Sequence, residues 1–201
     1  SAWGPTDDGR LKPDFSAPGC QTDGDSGVTS CDSSSNTAYT TLCGTSMASP
    51  TVAGIVALML QDYRAQFGGP DPRNSTLKAL LASSAVDVLN AGPDFQSGYG
   101  SVRATAAIDL MRTGSFAERE LVQGETIFFT IYVTPADTEL EVTIAWDDVP
   151  SAPNVLGSLV NDLDLHVFSP SGVEHFPWTL DPLNPSALAV RTGRDRLNNL
   201  E

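Results

Sequence analysis

The chain has 201 residues, a formal net charge of −14, and 40% hydrophobic and 7% aromatic residues. That length and apolar content suffice for one large domain or two smaller ones, each with a core. So negative a charge argues against nucleic acid and anionic membranes as partners, because both need Lys and Arg to meet phosphate.

The acidity is uneven: residues 1–112 carry 11 acidic against 7 basic side chains, and residues 113–201 carry 14 against 4. No apolar run reaches the roughly 18 to 20 residues of a membrane span. No initiator Met or signal-peptide pattern opens the chain, so Ser1 reads as a start inside a longer precursor.

Residues 1–19 are dense in Gly and Pro, with turn dipeptides at Gly4-Pro5, Asp8-Gly9 and Pro18-Gly19, and read as ordered loop. A polar surface excursion follows from Cys20 to Asn36. Cys20, Cys31 and Cys43 match no zinc spacing and have no His near them; one disulfide is expected, most simply Cys20 to Cys31, in an oxidising compartment. Residues 37–42 alternate enough for a strand running into a turn at Gly44.

Next come Gly44-Thr45-Ser46-Met47-Ala48-Ser49-Pro50 and the apolar run to Leu60, apolar on nearly every side, which predicts a helix buried in a large core. Ser46 falls in its first turn, where unpaired backbone N–H groups and the positive end of the helix dipole stabilise developing negative charge. A Ser at a helix start is most often only a cap. Pro50, however, removes the N–H that would bond the Ser46 carbonyl, which an ordinary cap does not require.

Phe67-Gly68-Gly69-Pro70 ends that helix. A second helix, capped by Asn74 or Ser75, turns Leu77, Leu80, Leu81 and Val86 inward, and a third spans about 102–111 after the Gly98-Tyr99-Gly100 loop. With too few strands for a sheet, residues 1–113 read as part of an α/β layer. Past Thr113 the pattern changes. Residues 126–133, 140–146 and 163–168 are β-branched, aromatic and near-alternating, which predicts an antiparallel β-sandwich or jelly-roll domain over 114–201. Residues 197–201 show no closing strand, so this domain reads as truncated. No phosphate-cradling glycine motif occurs.

Gly44 to Pro50 with Val52-Ala53-Gly54 resembles the nucleophile signature of the subtilisin-like serine peptidases, the subtilases. Trp3-Gly4-Pro5, Asp8-Gly9-Arg10, Lys12-Pro13-Asp14, Ala17-Pro18-Gly19 and Gly98-Tyr99-Gly100 resemble its flanks. Ala145 to Pro150, Leu159 to Leu165, Ser169 to Gly172 and Asn198 to Glu201 resemble the β-sandwich appended to KP-43-like alkaline serine proteases.

The resemblance implies an incomplete subtilisin-like parallel-sheet domain and a secreted serine endopeptidase acting on proteins or peptides. Ser46 is the implied nucleophile, its own N–H an oxyanion donor, with Gly44, Thr45 and Met47 lining the site. The Asp and His of the triad, and a second oxyanion donor, are implied upstream of Ser1, so the chain alone is expected to be inactive. His166 and His175 fall in the sandwich half, as a strand-face and a loop residue.

Asp162 and Asp164, alternating on a strand edge, are candidate calcium ligands, with Asp195, Asn198 and Asn199 available to complete a site; the other reading is a solvated acidic face. Two further readings are an α/β-hydrolase using His175, against which Ala48 stands where Gly is usual, and a non-catalytic module whose Phe176 and Trp178 serve packing or ligand stacking. Peroxide is expected to oxidise Met47 beside Ser46 and alter turnover.

Overall fold

The computed structural model describes residues 2–20, 26–152, 155, 157 and 159–201, so residues 21–25 of the polar excursion lie outside it. In chain order the elements are β1 (Val28–Cys31), β2 (Tyr39–Leu42), α1 (Thr45–Gln66), α2 (Asn74–Ser84), α3 (Ala104–Arg112), β3 (Val167–Phe168) and β4 (Glu174–His175). β1 and β2 form one antiparallel pair, β3 and β4 another. Both pairs are antiparallel, so the parallel sheet expected of residues 1–113 is not formed by named strands among the described residues.

Ile55 and Met59 of α1 meet Leu77, Leu80 and Leu81 of α2 and Ala107 and Met111 of α3, with Val102 beneath them. α3 lies against both other helices and closes this core. The i, i+4 spacing of Ile55 and Met59 places both on one face. The opposite face of α1 is exposed, with Leu58 at 50%. The expected all-round burial is therefore absent among the described residues: α2 and α3 cover one side only.

Gly68 and Gly69, both at positive φ, end α1 after Phe67 as expected. The ring of Phe67 lies tilted against Tyr63 and edge-on to Phe116, tying the segment after α3 back to α1. α2 starts without a side-chain cap of its own. Its entry is held by Glu118, whose carboxylate accepts from the Arg73 N–H at 2.8 Å and the Thr76 hydroxyl at 2.5 Å. Burial opposes ionisation of Glu118, yet those donors and Arg73 hold its carboxyl below the usual range.

Val86, expected inside, is 39% exposed, because the helix has ended and Val86 pairs with Ser101. Ser16 also pairs with Ser101, so three extended pieces meet there. A Cβ on Gly98 would fall on the Asp14 carbonyl and one on Gly100 on the Val86 carbonyl, which accounts for both glycines around Tyr99.

The acidic half is built differently. Residues 126–133 and 140–143 join no ladder, and Phe128 and Tyr132 are 88% and 90% exposed. Only Val167–Phe168 of the three expected strands joins a named sheet. A sandwich is not confirmed by this arrangement, although residues 162–168 do alternate exposed and half-buried.

The final residues differ from expectation. Glu201 and Ile144 exchange backbone hydrogen bonds of 2.9 Å, the Trp146 N–H reaches the Asn199 carbonyl, and Leu200 is 2% exposed. The asparagines of this segment, where no closing strand was expected, are consumed by hydrogen bonds: Asn199 Nδ2 donates to the Trp146 carbonyl and Asn198 Nδ2 to Asp195. This strand-like piece also joins the halves, through Tyr99 Oη to the Leu200 carbonyl at 2.7 Å and the Leu11 N–H to Asn198 Oδ1 at 2.7 Å.

Candidate functional site

β2 delivers the chain to the start of α1. Its partner β1 is paired so that Val28 faces Leu42 and Cys31 faces Tyr39. Cys31 therefore lies three residues, about 10 Å, from the hairpin base, whereas Cys20 and Cys43 flank that base with Cα atoms 4.6 Å apart. The disulfide joins Cys20 to Cys43, correcting the expected Cys20–Cys31 bridge, and Cys31 is a free, exposed thiol. Hairpin register was the missing signal.

Gly44 is the N-cap of α1 at φ 148°, a conformation glycine tolerates, with no side-chain cap and no acidic residue in the first turn. Its N–H donates to the Gly19 carbonyl at 2.8 Å, and its carbonyl accepts from the Met47 N–H at 3.0 Å. Thr45 and Ser46 open the helix and are exposed, while Met47 is half-buried.

Pro50 lies inside α1, so the Ser46 carbonyl lacks its helical donor. The next carbonyl, that of Met47, accepts from Thr51 Oγ1 at 2.9 Å. Ser46, Ser49, Pro50, Ala53, Gly54, Ala57 and Leu58 form one exposed stripe, its small side chains leaving the hydroxyl uncrowded.

The expected site residues Gly44, Thr45, Ser46 and Met47 thus gather at one helix start. Ser46 Oγ makes no hydrogen bond with another described residue. His166 binds Glu174 through Nδ1 at 2.5 Å and stacks on Phe168; His175 sits in β4 opposite Val167, as a strand residue. Neither histidine is hydrogen-bonded to the serine. Trp178 packs, as one reading expected: its ring covers Gly92 and carries the Arg191 guanidinium 5.3 Å from its centroid.

The acidic residues form a looser group. Asp164 pairs with Arg194 at 3.1 Å and Asp162 with Arg196 at 3.4 Å. Asp195, 6% exposed, accepts from the Leu197 and Asn198 N–H groups and from Asn198 Nδ2. Burial raises its carboxyl pKa against those donors.

Glu201, also 6% exposed, accepts from the Leu165 N–H through Oε2, while Oε1 is buried without a partner. Burial, with Asp195, Asp164 and Asp162 nearby, pushes its carboxyl up to about 8. Among the described residues no three His, Cys, Asp or Glu side chains gather as a metal-binding group. Glu201 was not singled out as a site residue in the sequence, since nothing local marks it as buried. No helix among the described residues is long and apolar enough to cross a membrane.

Comparison with known proteins bears on the family of the chain. The subtilase family (Peptidase_S8) model matches residues 1–100. A C5a peptidase of Streptococcus pyogenes is 29% identical over 160 residues, covering 78% of this chain and 13% of its own length. The Dictyostelium discoideum serine protease/ABC transporter B family protein tagA is 25% identical over 194 residues, covering 82% of this chain and 11% of its own. A solved lanthipeptide protease shares 38% identity over 36% of this chain and 22% of its own, with a TM-score of 0.35. The chain thus spans a small part of the curated relatives it matches.

Proposed function

The chain belongs to the subtilase family of serine peptidases through residues 1–100, and from that premise we propose that Ser46 is the nucleophile of a serine endopeptidase. Its hydroxyl would attack the scissile carbonyl to form an acyl-enzyme, and its own N–H, at an uncapped helix start, would donate to the oxyanion. The observation that carries this reading is the position of Ser46: exposed, in the first turn of α1, behind a glycine at φ 148° and ahead of a proline that frees its carbonyl.

Activation needs a base and an orienting acid. The His166 ring is bound to Glu174 and His175 lies in β4, neither hydrogen-bonded to Ser46, so the Asp and His of the triad are proposed to lie outside these 201 residues. Gly44, Thr45 and Met47 would line the cleft. Residues 1–113 would then be part of the catalytic domain and 114–201 a β-sandwich appended to it. Protein or peptide substrates follow from the family, and an extracellular site of action agrees with the disulfide. Replacing Ser46 by Ala in the full-length protein tests the reading: peptide hydrolysis should fall by about 10⁴-fold or more with the melting temperature unchanged. Retained hydrolysis would reject it.

Calcium is proposed at Asp162, Asp164 and Asp195. The orphaned Oε1 of Glu201 beside them suits a hard cation, whereas Arg194 and Arg196 compete for two of the carboxylates. These side chains would hold the ion and fix residues 195–201; no part of the reaction is assigned to it. A melting temperature that rises with added calcium, and no longer does so in Asp195→Asn, supports the site; an unmoved melting temperature discards it.

A further inference from the structure

The start of α1 is short of the usual restraints. It has no capping side chain and no acid in its first turn, and Pro50 deletes the hydrogen bond to the Ser46 carbonyl. What holds this tip is a contact from outside the helix. Gly19 is buried beneath it: a Cβ there would come within 2.6 Å of the Gly44 carbonyl oxygen and 3.1 Å of the Ala48 Cβ. The Gly44 N–H bonds the Gly19 carbonyl at 2.8 Å. Immediately beside that hydrogen bond, Cys20 is joined to Cys43. The noncovalent and covalent links are adjacent, and Cys43 is three residues from Ser46.

We infer that the Cys20–Cys43 disulfide positions the nucleophile, so that peptidase activity depends on its redox state. The inference rests on Ser46 being the nucleophile. Cys20 and Cys43 are both exposed, so a dithiol can reach them. A thiolate of the dithiol attacks one sulfur and breaks the S–S bond, and its second thiol closes the cyclic disulfide. Two electrons pass to the protein, and Cys20 and Cys43 each end as a protonated thiol. The Gly19–Gly44 hydrogen bond then stands without its covalent neighbour, and the turn from Gly44 to Ala48, which carries Ser46, loses its fixed place over Gly19. A nucleophile misplaced by an ångström loses rate at the chemical step while substrate contacts elsewhere persist. The signature is a fall in kcat at nearly constant KM.

The test uses the full-length protease carrying Cys31→Ser, which removes the free thiol of the hairpin. Peptide hydrolysis and the rate of fluorophosphonate labelling are followed before reduction, after dithiothreitol has reduced the Cys20–Cys43 bond as read by alkylation of both cysteines and peptide mapping, and after reoxidation. The Cys20→Ser/Cys43→Ser variant is measured alongside, below its melting temperature. The expected result is a kcat and a labelling rate lower by on the order of ten- to a hundred-fold, with KM unchanged and both rates restored by reoxidation. If the double variant does not fold, reduction of the folded enzyme decides alone. A lower melting temperature with unchanged kcat and labelling rate makes the disulfide a stabiliser only and overturns the inference, leaving Ser46 as nucleophile. Oxidised enzyme that takes no label at Ser46 removes the nucleophile reading, and this inference with it.

Discussion

The helical half and the acidic half use similar apolar material to different effect. In the first, side chains repeating every three to four residues converge on one core, where Met59, Ala107 and Met111 are fully enclosed. In the second, chain of high β-propensity stays largely unpaired, and Phe128, Phe129, Ile131 and Tyr132 stand in solvent. The difference lies in where partners come from. A helix satisfies its backbone within itself and needs only a neighbour for one face, whereas a strand needs another strand for every other N–H and carbonyl. The acidic half is anchored where such partners exist: the Trp146 N–H bonds the Asn199 carbonyl, Trp146 and Leu200 are buried, and Tyr99 and Leu11 of the first half bond the Leu200 carbonyl and the Asn198 side chain.

That contrast can be broken by substitution. Trp146→Ala removes the largest buried side chain of the acidic half and should cost about 3–5 kcal/mol, as much as Met59→Ala at about 2–5 kcal/mol in the helical core. A Trp146→Ala loss below about 1 kcal/mol by chemical denaturation would mean that residues 198–201 do not couple the halves.

The buried carboxyl of Glu201 comes next, in calcium-free protein. Its folded pKa is raised to about 8, so the stability it allows is fully present below the unfolded value of 4.5 and is lost as pH rises through about 8. Melting temperature should therefore fall between those limits, and Glu201→Gln should flatten that slope. A profile identical in the two proteins would place Glu201 in water.

Tyr99→Phe deletes the hydrogen bond to the Leu200 carbonyl and leaves it unsatisfied at the junction, for about 1–3 kcal/mol. Phe128→Ala, at 88% exposure, should change stability by no more than about 0.5 kcal/mol. A large effect there would show that the exposed strip is covered in solution.

The three helices were legible because their periodicity and stop signals are local: Gly68-Gly69 ends α1 within a few residues of where the pattern stops. So was the placing of Ser46, which depends only on the turn and helix around it. The pairing of Cys20 with Cys43 was not, since it follows from the β1–β2 register, a relation between two segments. The cover on α1 was overestimated for a similar reason. Its sequence shows a helix apolar all round, while burial depends on what packs against each face, and α2 and α3 supply one face only. Leu200 was hidden by its polar neighbours, whose hydrogen bonds cannot be read from composition. The same limit applies to Asp162, Asp164 and Asp195, where spacing gave the carboxylates but neither the arginines paired with two of them nor the enclosed Glu201.

The most direct measurement is active-site labelling of the full-length protein with a fluorophosphonate, followed by peptide mapping. A single adduct on Ser46, with label and peptide hydrolysis both lost in Ser46→Ala, is the predicted result. An adduct on another residue, or hydrolysis that survives in Ser46→Ala, would contradict the account.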